Sequence, residues 1–311
     1  MAFDLKKINL RALSDPGAFA MECEEDYTKR LTDAAAEICG HMSVSPIVLM
    51  SGPSGSGKTT TAKKLCDELL KRGVKAHTIS FDNYYLPFAP KDAPRTEDGS
   101  IDYESPLCLD LPLLNDHFSI LSRGEEITVP YFSFQMKTRR TDKEKPLRLG
   151  KDEVAIFEGI HAFNDIITDE HPEAFKFYIS ARSDIHENGD VCFKGTWIRL
   201  MRRSVRDSSF RATAALETLG MWANVRLGEK KYISPNKYKA NILFDSSMPY
   251  EVSVLKQYAL SVFEKVSDGT ERFEELKQIL PSLQNFTDID SNVVPPYSIL
   301  REFIGGGQYK Y

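Results

Sequence analysis

The apolar positions change period several times along the chain, and each change marks an element. Phe19, Cys23, Tyr27, Leu31, Ala35 and Ile38 recur at steps of three and four. That spacing predicts a helix over residues 16–40, with Gly40 as its stop. Residues 46–51 form a short apolar run, which suits a strand buried on both faces of a parallel sheet. Ala62, Leu65, Cys66, Leu69 and Leu70 then return to helical spacing, with Gly73 placed to cap the end. Residues 75–80 read as a second strand, so strand, glycine-rich loop, helix and strand make a βαβ unit. Further strands are expected at 154–157, 175–179 and 241–244, and helices at 110–123 and 195–207. Residues 208–239 mix Arg, Gly, Lys and Pro and have the character of a mobile lid. Two helices are expected between Glu251 and about Leu283, broken near Gly269.

Composition narrows the function classes. The net charge is −5, so no global basic field exists to hold nucleic acid. Basic residues cluster locally, at 137–145 and 199–211, which suits small anionic ligands such as phosphates or a solvated face. Five cysteines, an odd number with no pair at CxxC spacing, make a disulfide framework or a zinc site a poor expectation. No apolar run approaches the roughly 20 residues needed to span a bilayer. The first residues also lack a signal-peptide core, and Ala2 stands where myristoylation needs glycine. The expectation is a cytoplasmic protein with neither a membrane nor a nucleic-acid partner.

The glycine-rich loop carries the sharpest chemistry. Gly52-Pro53-Ser54-Gly55-Ser56-Gly57-Lys58-Thr59 fits G-x-x-x-x-G-K-[ST] at every fixed position. In such a loop, backbone N–H groups curl around phosphate oxygens and the following helix adds its positive end. Gly52, Ser54, Gly55, Ser56, Gly57, Lys58, Thr59 and Thr60 are therefore expected to hold ATP. Lys58 would reach the β- and γ-phosphates, and the Thr59 hydroxyl would reach Mg²⁺. The fold class is an α/β P-loop NTPase. It is expected as a three-layer αβα domain with a mostly parallel sheet, a lid region and added N- and C-terminal helices. The boundaries are a helical lead-in at 1–44, the P-loop domain at 45–248 with the lid about 208–239, and a C-terminal extension at 249–311. No N-K-x-D signature of guanine recognition is present.

Two carboxylates fall at strand ends, where a doubly wound sheet faces its ligand crevice. Asp82 lies just past the second strand and is expected to orient an incoming hydroxyl and accept its proton. Glu158 ends the run 154–157 and is expected at the metal with Thr59. Asp102, in Asp102-Tyr103-Glu104-Ser105-Pro106, is on its own residues a loop acid.

Together GPSGSGKTT, SFDNYYLP, DYESPLCLDLPLL, VPYFSFQMKTRR, VAIFEGIHAF and IRLMRRSVRD resemble the uridine kinase and phosphoribulokinase family of P-loop kinases. The tail SILREFIGG and the segment TLGMWANVRLGEKKYISP resemble a bacterial uridine-kinase-like subgroup. The resemblance implies Asp82 as catalytic acid beside a 5′-hydroxyl, with Lys58 as its catalytic partner. It implies Asp102 on the ribose hydroxyls and Glu158 near Mg²⁺. It places Arg199, Arg202 and Arg206 on the helix leading to the lid, with Arg202 and Arg206 on ATP and Arg199 on the substrate side with Tyr85. Uridine kinases carry a Tyr and a His that contact the pyrimidine in P-V-Y-S-Y-x-x-H-T-R. Phe132 and Lys137 stand in those places here, and Phe cannot hydrogen-bond to a base edge.

The expected reaction is ATP-dependent phosphorylation of a nucleoside 5′-hydroxyl, with uridine or cytidine as acceptor and Mg²⁺ as cofactor. A sugar phosphate or another small alcohol is the same-fold alternative, with Arg95 or Arg139 to hold its phosphate. A nucleotide-binding regulatory protein with little kinase activity is the alternative from another class. Homo-oligomer formation is left open.

Overall fold

A computed structural model describes residues 2–87, 91–96, 99–211, 213–264, 266 and 274–310. The chain opens with β1 (Ala2–Asp4), α1 (Leu5–Ser14) and α2 (Pro16–His41). Asp4 and Asp15 cap the two helices by accepting from Lys7 N and Ala18 N. Pro16 starts α2 where a missing N–H costs nothing. β2 (Ile47–Ser51), α3 (Lys58–Leu70) and β3 (Lys75–Ser80) make the expected βαβ unit. After α4 (Leu111–Ser122), four short strands form two ribbons. In these, β4 (Ile127–Val129) pairs with β7 (Lys145–Leu147), and β5 (Phe132–Ser133) with β6 (Thr138–Arg139). Next come β8 (Glu153–Glu158), α5 (Asp165–Thr168) and β9 (Phe175–Ser180). The hairpin of β10 (Asp184–Glu187) and β11 (Asp190–Phe193) leads to α6 (Gly195–Phe210) and α7 (Ala215–Gly228). The remaining elements are β12 (Ile242–Asp245), α8 (Glu251–Phe263), α9 (Glu274–Leu283) and α10 (Arg301–Ile304).

The central sheet has the order β12-β9-β2-β8-β3, and every neighbouring pair is parallel. Its strands alternate between two apolar cores. Val48 and Met50 of β2 face one core, while Ile47 and Leu49 face the other. β8 does the same with Val154 and Ile156 against Ala155 and Phe157. Two apolar faces on β2 and β8 explain why these segments read as unbroken hydrophobic runs rather than alternating ones. The first core is built on α2, α3, α6, α8 and α9, the second on α4 and α5, giving three layers.

The helix expected over 16–40 is α2. Its Tyr27 hydroxyl shares a 2.6 Å hydrogen bond with Thr61 Oγ1 of α3. Residues 2–4 and 184–193 pair as a second, three-stranded sheet that the apolar pattern did not announce, because the strands are three or four residues long. The segment 208–239 differs from expectation as well. It contains α7, a π-helical turn over Glu229–Ile233 and a 3-10 turn over Ser234–Lys239. Leu219, Trp222, Val225 and Ile233 are buried, so its polar composition hides an apolar face that packs on the body of the protein. The helices α8 and α9 stand where two were expected, and the break expected near Gly269 lies outside the described residues. Among the described residues, no helix is long and apolar enough to cross a membrane.

Candidate active site

Three loops meet at the C-terminal edge of the central sheet. The glycine loop follows β2, Asp82 follows β3, and Glu158 ends β8, which lies between them. In register, Glu158 is flanked by Met50 on β2 and Ser80 on β3. Strand order therefore gathers a lysine and two carboxylates that the chain separates by 24 and 76 positions.

Gly55 and Gly57 adopt φ of +74° and +81°, the left-handed region that L side chains avoid. These turns curl the loop before α3, whose first N–H groups have no partners inside the helix. Lys58 folds back over the loop, and its ammonium donates to the carbonyl oxygens of Gly52 (2.8 Å) and Pro53 (3.3 Å). Burial lowers its pKa, and Glu158, Glu302 and Asp82 oppose that shift, in that order. Burial pushes Glu158 up to about 7, with Lys58 pulling the other way and Asp82 adding to the rise. Asp82 is open to solvent at the bottom of this crowded crevice. Its carboxyl is also raised by desolvation, against the pull of Lys58, Arg211 and Arg206. Thr59 opens α3 beside Lys58, and the Thr60 hydroxyl donates to Glu302 Oε2 at 2.5 Å.

The arginines of α6 divide between two sides of the loop. Arg199 and Arg202 were expected to grip substrate and ATP phosphates, and the structure corrects this. Arg199 is 2% exposed, donates to Ser54 O at 3.0 Å and forms a two-pronged pair with Glu229 (2.9 and 2.7 Å). Arg202 is fully buried, pairs with Glu251 at 2.7 Å and donates to the carbonyls of Gly55, Ser56 and Ser246. A curled loop that turns its N–H groups inward turns its carbonyls outward, so both guanidiniums brace the loop from behind. Arg206 lies nearer the crevice, 3.5 Å from Glu302 Oε1 and coupled to both Lys58 and Asp82. Arg203 and Arg211 had no expected role. Arg203 donates to Ser54 Oγ at 2.9 Å, and Arg211 is coupled to Asp82.

Next to the crevice lies a cleft of about 660 Å³ lined by Asp102, Glu104, Arg95, Arg203, Lys230 and Tyr232, among others. Asp102 Oδ2 accepts from the Tyr232 hydroxyl at 2.9 Å, and Oδ1 accepts from Glu104 N at 3.1 Å. Helical packing of the segment after α7 therefore holds the carboxylate that the loop alone left undefined. Tyr85 lies close enough to Asp82 for its hydroxyl pKa to be raised by burial first and that carboxylate second. Phe132 is buried between Tyr85 and Phe134, at ring distances of 5.7 and 5.1 Å. Lys137 is exposed at the turn joining β5 to β6, with φ of +53°. Neither Phe132 nor Lys137 lines the cleft. The hairpin turn leaves the Lys137 side chain exposed, away from the cleft that Asp102 lines. Arg139 is tied to Asp110 at 3.0 Å and to Tyr84 O at 3.2 Å, whereas Arg95 lines the cleft.

His161 is a further residue near the site that had no expected role. It lies three positions after Glu158, is 2% exposed, and neither ring nitrogen has a hydrogen-bond partner among the described residues. Its ring meets Tyr232 edge-on at 6.1 Å. A histidine just beyond the end of a buried strand, next to a strand-end acid, was the available signal. Burial first and Lys58 second lower its pKa to about 4 from an ordinary 6.5. The folded protein therefore holds this ring neutral, while the unfolded chain binds a proton below about pH 6.5. The resulting stability is complete above that pH and is lost as pH falls toward 4, up to about 3 kcal/mol. His161→Phe should flatten the decline of unfolding free energy between those two pH values, measured by urea denaturation. An unchanged slope would assign the decline to other groups.

A family model described as "Phosphoribulokinase / Uridine kinase family" matches residues 47–253. The chain is similar to a uridine kinase of Listeria innocua, at 29% identity over 68% of this chain and 93% of the relative. It is similar to a uridine kinase of Halobacterium salinarum, at 26% identity over 62% and 77%. A solved structure described as a "Possible Uridine Kinase" from Bacillus stearothermophilus aligns at 16% identity with a TM-score of 0.42, covering 64% of this chain and 88% of that one.

Proposed function

The chain belongs to the phosphoribulokinase / uridine kinase family and is an ATP-dependent kinase, and on that footing we propose that it phosphorylates the 5′-hydroxyl of a nucleoside, uridine or cytidine. The observation that carries this reading is the crevice itself. Lys58 and Asp82 are coupled at the strand ends, and Asp102, held by Tyr232, stands in the adjoining cleft. A carboxylate with two accepting oxygens suits vicinal ribose hydroxyls. The relatives' names support the acceptor class.

In the proposed reaction, the acceptor hydroxyl oxygen attacks the γ-phosphorus of ATP. The new O–P bond forms as the bond to the β,γ-bridging oxygen breaks, and ADP leaves with that electron pair. Asp82 takes the hydroxyl proton. Desolvation within the crevice raises its carboxyl pKa and makes it a stronger base than a free aspartate, while Lys58, Arg211 and Arg206 oppose that rise. Lys58 and Arg206 balance the charge gathering on the transferred group. The oxygen set of Thr59 and Glu158 fits Mg²⁺, which favours one or two carboxylates together with phosphate oxygens. A buried carboxylate pushed up to about 7 is a group that a cation would relieve. Thr59 and Glu158 would hold the ion, which when bound would supply neutralisation of the charge that develops during transfer.

One observation favours a second reading. Arg95, Arg203, Lys230 and Lys231 line the cleft with Asp102, a cationic rim that suits an acceptor carrying its own phosphate. A panel of nucleosides and sugar phosphates, followed by ADP release, separates the two. The nucleoside reading expects turnover of uridine or cytidine above all sugar phosphates. Turnover confined to a sugar phosphate would replace it. Asp102→Asn should raise the acceptor KM by about tenfold or more, the worth of a hydrogen bond to a charged group. The KM for ATP should stay at the wild-type value. A parallel rise in both would remove Asp102 from the acceptor site.

A further inference from the structure

Residues 297–310 run along α3 and onto the phosphate loop. The ammonium of Lys64 donates to Tyr297 O at 2.9 Å, and the Tyr309 hydroxyl donates to Asp67 at 2.6 Å. Ile299, Leu300 and Phe303 are fully buried. The Ile299 side chain fills the space at Gly57 so closely that a Cβ on that glycine would lie 2.2 Å from its Cδ1. The Arg202 guanidinium stands 5.2 Å over the Phe303 ring. Glu302, 8% exposed, is thereby delivered to the start of α3. Its Oε2 accepts from Thr60 Oγ1 at 2.5 Å and from Thr60 N at 3.4 Å, and its Oε1 lies 3.5 Å from Arg206.

Thr60 belongs to the first turn of a 13-residue helix, where unpaired N–H groups and the positive end of the dipole receive an anion. That turn follows the phosphate loop, so the anion expected there is a phosphate of the donor. The carboxylate of Glu302 stands at this position, beside the Lys58 ammonium, whose pKa it raises second only to Glu158. A second anion on the same donors would meet Glu302 at contact distance in a desolvated crevice, a costly like-charge approach.

We propose that residues 297–305 are a built-in competitor of the donor nucleotide, with the Glu302 carboxylate holding the anion position at Thr60 until ATP displaces it. The proposal rests on the reading of residues 52–60 as the donor's phosphate site. The segment then sets how strongly the kinase binds its donor. Apparent affinity falls by the fraction of molecules in which the position is free. Because this segment and the residues after it are anchored on α3 through Lys64 and Asp67, displacement should also loosen those outer contacts.

Calorimetric titration of the full-length chain with ATP and Mg²⁺ tests this, using wild type, Glu302→Gln and Lys58→Ala. Glu302→Gln keeps the shape of the contact and removes its charge. It should tighten ATP binding by about fivefold or more, a typical coupling between competing groups. Amide hydrogen exchange of residues 298–305 in the wild-type chain should speed up when ATP saturates the protein. Equal or weaker ATP binding by Glu302→Gln would overturn the proposal. So would slower exchange of 298–305 with ATP, which would make the segment a cover over bound nucleotide. Lys58→Ala should lose most ATP binding. If it binds ATP as wild type does, the donor-site reading fails and takes the proposal with it, a signature distinct from failure of Glu302 alone.

Discussion

Asp82→Asn is expected to lower kcat by about 10²–10⁴-fold, with the KM for ATP little changed. Asparagine keeps the size of the side chain and can still accept from a hydroxyl. It cannot take the proton, so the loss falls on the transition state rather than on binding. The site makes this loss large for two reasons. Desolvation by the crowded crevice raises the basicity of Asp82, and Lys58, Arg211 and Arg206 lie near it with positive charge. Glu158 is no equivalent substitute, because it is buried and interacts with the same lysine. Steady-state rates at saturating acceptor, with ATP varied, provide the check. A rise in KM for ATP at constant kcat would move Asp82 from the acceptor side to the donor side.

Arg202→Met should destabilise the fold by about 3–5 kcal/mol, because it leaves Glu251 charged and buried without a partner. Both side chains of the pair are fully buried, and Glu251 also accepts from Met248 N at 2.7 Å. Arg202 further serves the carbonyls of Gly55, Ser56 and Ser246, so one substitution unties the phosphate loop from α8 and from the end of β12. The double variant Arg202→Met/Glu251→Met should recover much of the loss, since an apolar pair carries no uncompensated charge. Urea denaturation of the two single variants and the double variant gives the coupling. Additive losses would mean that the ion pair itself is not what the buried arginine contributes.

Much of the donor end was legible along the chain. The loop at 52–59, the unbroken runs at 46–51 and 154–157, and the carboxylates that follow strands are all local patterns. Each is set by a period of two, a helical period or a fixed spacing. Parallel strands then force their ends to one edge, which is why Asp82 and Glu158 fall beside Lys58. Asp102 was less legible. Its loop has no period, and the Tyr232 hydroxyl that orients it comes from 130 positions later.

The segment 208–239 shows a different limit. Its composition is polar, yet Trp222, Val225 and Ile233 are buried, because a helix needs only one apolar stripe to dock. The arginines of α6 show another. Spacing places Arg199, Arg202 and Arg206 along one side of a helix, but not which side of the phosphate loop that helix passes. Packing sends Arg199 and Arg202 to the outer carbonyls and leaves Arg206 facing the crevice.

The sequence by itself determined that this chain carries a tightly curled glycine loop between a strand and a helix and sets acids at neighbouring strand ends, since both follow from local backbone and side-chain chemistry. Only the tertiary structure decided what fills the space around them. It left His161 buried beside Tyr232 with no hydrogen-bond partner among the described residues. It also brought Glu302 across 242 positions to Thr60. Contacts of that kind are made by surfaces closing on one another, and no period or spacing along the chain encodes them.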